Sequence, residues 1–371
     1  MKKYRYKGVK IKHYNRSYRV GSRRFILTAV GKWLAVVVLL VAIGFFAGRP
    51  VVQWLTTDNT HKEGTSSTEQ TPETSPEQEE ETTQQADRGV VYMCSTTALA
   101  TDEGIADAVQ EAKLQGAGSV AIELKITGGQ VLYQSAVLSV TACGAQSASA
   151  IDLSKVVQSF AAENIEVLGM VSAYHDNLYA RYDRSSATRY DDSDVLWLDN
   201  TAQNNGQPWL APGAEGTDAY LGSICEEIMD MGVKGIILTD AQLPTAVYWE
   251  HASTGFESGQ SNLDGMQAAI DLLAQRVHAK GGRFSLYYEA QTLLSDSVSG
   301  LDYKQLKADT IYVNTQLQTG TVVGSTTISE NTTYQQKADA VQNALSGKVS
   351  NMVLSVYTGV SVTGDQKLIW Q

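Results

Sequence analysis

The sequence predicts an α/β fold: a (β/α)8 TIM-type barrel, preceded by a single N-terminal transmembrane helix and a disordered linker. Three observations carry this expectation. From Gly89 onward, short apolar strands alternate with segments of helical periodicity, which implies right-handed crossovers and parallel pairing. About 280 residues follow the non-globular N-terminus, near the usual size of such a barrel. Turns into strands are short, as at Gln115-Gly116-Ala117-Gly118 and Gly281-Gly282. Loops leaving the second, third and fourth strands are long, over 126–151, 173–216 and 241–261. An open doubly wound sheet is the alternative, but no GxGxxG follows the first strand to suggest a dinucleotide fold.

The chain opens on a basic arm, 1–24, with ten Lys/Arg in residues 2–24. Segment 25–48 is apolar except for Thr28 and Lys32, and its 24 residues suffice to cross a bilayer core with some tilt. Lys32 would snorkel to the inner interface. The positive-inside rule then puts the arm in the cytoplasm and residues 49–371 outside the cell membrane. The rival is a cleaved signal peptide, for which Ala47-Gly48-Arg49-Pro50 is a poor site. Residues 49–88 form the linker. From 56 onward it is Thr, Ser, Glu, Gln and Pro with little apolar surface to offset ordering entropy, so it reads as a tether.

Within the barrel domain, 89–371, strands are expected at 90–95, 119–125, 165–172, 235–238, 283–290, 310–316 and 351–358, with 367–370 as a closing eighth. Helices are expected over 102–115, 152–163, 262–280 and 334–345. Another starts at Thr217 or Asp218 and runs to about Met231, where Gly232 stops it. The fourth strand, Gly235-Ile236-Ile237-Leu238, leads into Thr239-Asp240 at the end where parallel sheets hold their reactive groups.

Net charge is −11, but residues 1–49 hold twelve Lys/Arg and no acid, leaving 17 basic against 40 acidic residues beyond them. So acidic an exterior argues against nucleic acid as a partner. Cys94, Cys143 and Cys225 have no ligand spacing and are read as free thiols, with a Cys94–Cys143 disulfide as the alternative. Five histidines supply no HxxxH or HxH pair, so no metal site is expected; no GxSxG is present, and nothing calls for a cofactor. The long loops are aromatic: Tyr133, Tyr174, Tyr179, Tyr182, Tyr190, Trp197, Trp209, Tyr248, Trp249 and Phe256. Such rings either stack on sugars or staple the loops down.

Over most of 89–300 the chain resembles the putative glycosyl hydrolase domain family, bacterial barrels related to the α-amylase-like superfamily. That family's second-strand pattern, asparagine-alanine-valine-valine-isoleucine-aspartate-valine-lysine, is similar to 118–125, with Glu123 and Lys125 at the charged positions. Its phenylalanine-lysine-aspartate-proline segment resembles Tyr174-His175-Asp176-Asn177. Its tryptophan, proline, tyrosine and paired-acid spacing is matched by Trp209, Pro212, Tyr220 and Glu226/Glu227. The fourth-strand motif has the length of 232–244 but departs from the family: Thr239 and Gln242 stand at its aspartate and arginine, and Asp240 falls one residue late. A one-residue slip on a strand reverses the face, so Asp240 needs a bulge or strand end to re-aim it. The family's fifth-strand acid falls near Tyr287, with Glu289 two residues on.

The resemblance implies a glycoside hydrolase using two carboxylates. Asp240 is then nucleophile or base and Glu289 the general acid, its pKa raised among Tyr287, Tyr288 and Ala290. A Glu123–Lys125 ion pair would support the site, and Tyr174, His175, Asp176, Trp209 and Trp249 would contact the ligand. The expected partner is a polysaccharide or cell-wall glycan, with membrane contact through the N-terminal helix. The alternative is a catalytically degenerate barrel that binds wall glycan or a partner protein without hydrolysis.

Overall fold

A computed structural model describes residues 89–371, save 192, 245, 247, 248, 296–299, 365 and 371. The expected cytoplasmic arm, transmembrane helix and linker lie outside the described residues. Among the described residues no helix is long and apolar enough to cross a membrane.

Eight strands close a parallel ring: β1 Val90–Cys94, β2 Ala117–Lys125, β3 Glu166–Ser172, β4 Gly235–Thr239, β5 Arg283–Glu289, β6 Thr310–Asn314, β7 Met352–Tyr357 and β8 Lys367–Trp370. Each pairs with its neighbours in sequence, and β1 pairs with both β2 and β8, so no open edge remains in the ring. The open-sheet alternative is thereby excluded.

The helices α1 Asp102–Leu114, α2 Leu153–Ala161, α3 Glu215–Asp230 and α4 Asn262–Ala279 follow β1 to β4, and α5 Tyr334–Leu345 follows β6. Most start where a side chain caps them. Thr101 accepts from Gly104 N, Asp152 from Lys155 N and Ser261 from Asp264 N, while Thr333 and Gln336 form a reciprocal capping box. Helix α3 begins at Glu215 without a side-chain cap, earlier than expected. Thr217 instead donates its hydroxyl to Ser186 O at 2.8 Å, tying α3 to the loop after β3.

The core has two shells. Val91, Ala121, Leu168, Ile237, Tyr312, Val353 and Leu368 fill the barrel interior. A larger cluster, including Ile122, Phe160, Ile224, Leu273 and Phe284, fills the space between strands and helices. Gly169 sets the approach of α3. A Cβ there would lie 2.9 Å from Leu124 Cδ1 and 3.1 Å from Ile228 Cγ2, so only bare backbone fits.

The long loops carry structure of their own. Val131–Tyr133 pairs antiparallel with the end of β2 and parallel with Gln146–Ile151. Glu227 of α3 fastens this extension, accepting from Tyr133 OH, Ser135 Oγ and Ala136 N, each at 2.6 Å. Arg189–Tyr190 pairs with Ala252–Ser253, joining the loops after β3 and β4. Cys94, Cys143 and Cys225 are all free thiols, so the Cys94–Cys143 disulfide does not form.

Candidate active site

Two departures from strand regularity decide which charges look into the barrel mouth. The first is a bulge near the end of β2. Glu123 stands opposite Met170 and Lys125 opposite Val171, leaving Leu124 as the extra residue. Leu124 joins the outer shell, and Lys125 Nζ lies 5.8 Å from the ring centre of Tyr220 on α3. Glu123 alone lines the mouth.

The expected Glu123–Lys125 ion pair is therefore not made. Lys125 Nζ lies 2.9 Å from Asp176 Oδ2, with both side chains at 0% exposure. It also donates to Ser172 O at 2.7 Å. A buried cation needs such a partner, and a strand without the bulge would have sent it elsewhere. Asp176 also accepts from Tyr179 N at 2.9 Å, capping the short helix Asn177–Tyr182. Its role is internal, not a ligand contact.

The second departure is Asp240. Its φ of 52° is left-handed, a conformation that a non-glycine residue rarely adopts. This turn at the end of β4 brings the one-residue-late carboxylate back over the mouth. Asp240 Oδ2 accepts from Ser172 Oγ at 2.6 Å and from Thr127 Oγ1 at 2.8 Å. The backbone is held as well, since Ala173 N donates to Thr239 O at 2.8 Å. Ser172 thus links the buried Lys125–Asp176 pair, through its carbonyl, to Asp240, through its hydroxyl.

Asp240, Glu123 and Glu289 line one mouth pocket of about 240 Å³, together with Thr239, Gln242 and Tyr287. Strands β4 and β5, which deliver Asp240 and Glu289, are direct neighbours. Glu289 Oε1 accepts from Asn314 Nδ2 at 3.0 Å. Desolvation pushes the Glu289 carboxyl above its ordinary pKa; the Asn314 hydrogen bond opposes the rise and the Asp240 charge adds to it. The residue as a whole is exposed at the rim. Desolvation likewise raises Glu123. The mouth therefore offers a carboxylate fixed by two hydroxyl donors beside carboxyls inclined to keep a proton.

A larger pocket of about 520 Å³ adjoins the mouth and shares Gln242 with it. Asp199, Asn200, Asn204, Asn205 and Trp209 also line it. Trp209 Nε1 donates to Asp199 Oδ2 at 3.0 Å, and the His175 ring stacks on the indole at 4.3 Å and 15°. Among the described loop aromatics, Trp209 reaches a pocket. Tyr174 does not: it is at 0% exposure, its hydroxyl buried in the outer shell. Trp249 is 9% exposed and meets Trp197 edge-on at 5.3 Å, so it staples the loop and lines neither pocket. Among the described residues no group of three or more His, Cys, Asp or Glu could hold a metal ion.

Sequence reasoning missed Thr127, Ser172 and Asn314. The signal was a polar residue closing an apolar strand, as in Met170-Val171-Ser172 and Tyr312-Val313-Asn314, but which polar end reaches an acid depends on neighbouring strands.

A family model described as a putative glycosyl hydrolase domain matches residues 90–278. No curated protein matches the chain. A hypothetical protein from Ruminiclostridium thermocellum is similar at 20% identity over 53% of this chain and 96% of that one, with a TM-score of 0.42. A GH20 exo-β-N-acetylglucosaminidase from Vibrio harveyi is similar at 10% identity over 76% of this chain and 45% of that one, with a TM-score of 0.46. For a cycloalternan-forming enzyme from Listeria monocytogenes the figures are 12% identity, 76% and 28%, with a TM-score of 0.49. The chain thus spans less than half the length of the last two.

Proposed function

Since the chain belongs to the putative glycosyl hydrolase domain family, we propose that its barrel binds a cell-wall or extracellular polysaccharide at the mouth and hydrolyses a glycosidic bond there. The observation that carries this is the left-handed turn at Asp240, which sets its carboxylate into the pocket that Glu289 lines. Glycoside hydrolysis requires two carboxyls flanking the bond, and neighbouring strands about 4.8 Å apart supply that scale of separation.

In this mechanism Glu289, whose pKa desolvation and the Asp240 charge raise, donates its proton to the leaving oxygen. Asp240, oriented by Ser172 and Thr127, acts on the anomeric carbon directly or through a water. Glu123, on β2 in the same pocket, holds substrate hydroxyls. Segment 25–48 anchors the protein in the cell membrane with its N-terminus cytoplasmic, and 49–88 carries the domain outward.

The test is release of reducing ends from a polysaccharide panel by the full chain. Asp240→Asn and Glu289→Gln should each abolish it while leaving the thermal unfolding midpoint nearly unchanged. Full activity in both variants would refute the assignment.

One observation favours a second reading, binding without hydrolysis. Thr239 and Gln242, at the positions of the family's aspartate and arginine, both line the mouth and are neutral. Under that reading the wild-type chain retains glycan yet releases no reducing ends.

A further inference from the structure

Opposite the carboxamide pocket, across the ring, lies an aromatic run that the sequence reading did not single out. Trp370 ends β8, Tyr357 ends β7, and Tyr334 opens α5. Trp370 packs against the barrel-interior cluster, as do Met93 and Tyr287, both of which line the mouth pocket. From there the rings continue outward. Trp370 and Tyr357 lie 3.8 Å apart between centroids, and so do Tyr357 and Tyr334. Tyr334, the outermost, is 52% exposed. Gln316 Nε2 donates to Tyr357 OH at 2.7 Å, and Lys337 Nζ stands 5.9 Å from the Tyr334 ring centre, so the run is held in place. The Trp370 indole N–H is buried and finds no acceptor among the described residues.

The core of the barrel does not require this arrangement. A half-exposed tyrosine tilted against a second ring leaves apolar surface in water, whereas a stapling ring is covered, as Trp249 is. The run starts at β7–β8, and the carboxamide pocket with Trp209 is built on the loops after β3 and β4. In a ring of eight strands these two sets are four strands apart, with the acidic mouth between them.

We infer that the mouth is the middle of a groove open at both ends, which takes an internal stretch of a polysaccharide chain instead of a chain terminus. Trp370, Tyr357 and Tyr334 carry sugar faces on one side. Asn200, Asn204 and Asn205 hold sugar hydroxyls or acetamido groups on the other. The inference rests on the glycan reading above but names a substrate class and residues which that reading does not use. An amide-rich wall and neutral rings select an uncharged or N-acetylated polymer, since a polyanion would meet Asp199, Asp240, Glu123 and Glu289 without a compensating basic residue lining either pocket.

The experiment measures retention of the full chain on immobilised chito-oligosaccharides and β-glucan oligosaccharides of two to eight units, with polygalacturonate as the anionic comparison. Affinity should climb with chain length up to about six units for one of the neutral series. Tyr334→Ala should weaken binding of the longest member about three- to tenfold and leave the disaccharide unaffected. Asn204→Ala, on the far side, should do the same independently, and both residues are exposed enough for the variants to fold. Equal affinity for short and long chains, or wild-type retention by both variants, would overturn the through-groove while leaving a glycan site standing. Retention of no oligosaccharide at any length would overturn the glycan reading and the inference together. Release of single sugars from chain ends of a hexamer, without internal cleavage, would also count against the groove.

Discussion

Replacing Lys125 by Met tests the account of the mouth at its foundation. The Lys125–Asp176 pair has 0% exposure on both sides and a 2.9 Å separation, and Lys125 also holds Ser172 O. Removing one partner of a buried pair strands the other charge, at a cost of about 3–5 kcal/mol. For a domain whose whole stability is about 5–15 kcal/mol, that is a large fraction. At roughly 2 °C per kcal/mol for a chain this size, the unfolding midpoint should fall by roughly 6–10 °C. Asp176→Asn keeps the cap on Tyr179 N but loses the charge, so it should cost a similar amount. The double variant Lys125→Met/Asp176→Leu leaves no stranded charge and should recover most of the loss, short by about 1 kcal/mol for the missing cap. Urea unfolding of the wild type, Lys125→Met, Asp176→Leu and the double variant closes the cycle and gives the coupling energy directly. A coupling below about 1 kcal/mol, or a Glu123→Gln variant as unstable as Asp176→Asn, would refute the bulge-based assignment.

Three other outcomes follow from the same geometry. Ser172→Ala removes a hydroxyl donor to a charged acceptor, an interaction of about 1.5–3 kcal/mol, so kcat should fall roughly ten- to a hundredfold with KM little changed. Asn314→Leu removes the hydrogen bond that lowers the Glu289 pKa, so the alkaline limb of the kcat/KM profile should move to higher pH; an unmoved limb would mean that Glu289 is not the acid. Asp218 is buried and desolvation raises its pKa from 3.8 to about 6. Because the folded state then binds the proton more tightly than the unfolded chain, the contribution of Asp218 to stability is fully present below pH about 4 and is lost as pH rises through about 6. Asp218→Asn should therefore stabilise the protein at pH 7, by an amount on the order of 2–3 kcal/mol, with the gain vanishing near pH 4 in denaturant titrations.

The barrel was legible because its signals are local and repeated. Each strand is a short apolar run, most helices start at a capping side chain, and the loops lengthen on one side of the strands alone. The start of α3 was misread because Thr217 has cap chemistry but uses its hydroxyl on Ser186 O, a partner 31 residues away. The acids were legible as residues: Asp240, Glu289 and Glu123 do share the mouth. The partner of Lys125 was not, because period-two alternation puts Glu123 and Lys125 on one face and only the pairing with β3 reveals the extra residue. The aromatics were misjudged for a related reason. A ring's type says that it buries area, not whether protein or ligand covers it, so Tyr174 and Trp249 carried the same sequence signal as Trp209.

These two irregularities are best understood together. In a barrel of regular strands the slipped Asp240 would point away from the pocket, and Lys125 would point into it beside Glu123, leaving a mouth with a cation paired to an acid. Instead the bulge withdraws the cation behind the ring, and the left-handed residue restores the anion. Both changes meet at Ser172, whose carbonyl takes the displaced lysine and whose hydroxyl takes the displaced aspartate. The late position of Asp240 therefore does not by itself mark a lost site. It is the form a carboxylate site takes when strand four is read one residue later and strand two is bulged, and it keeps several carboxyls, without an internal counter-cation among the residues lining it, facing the solvent where a sugar ring would lie.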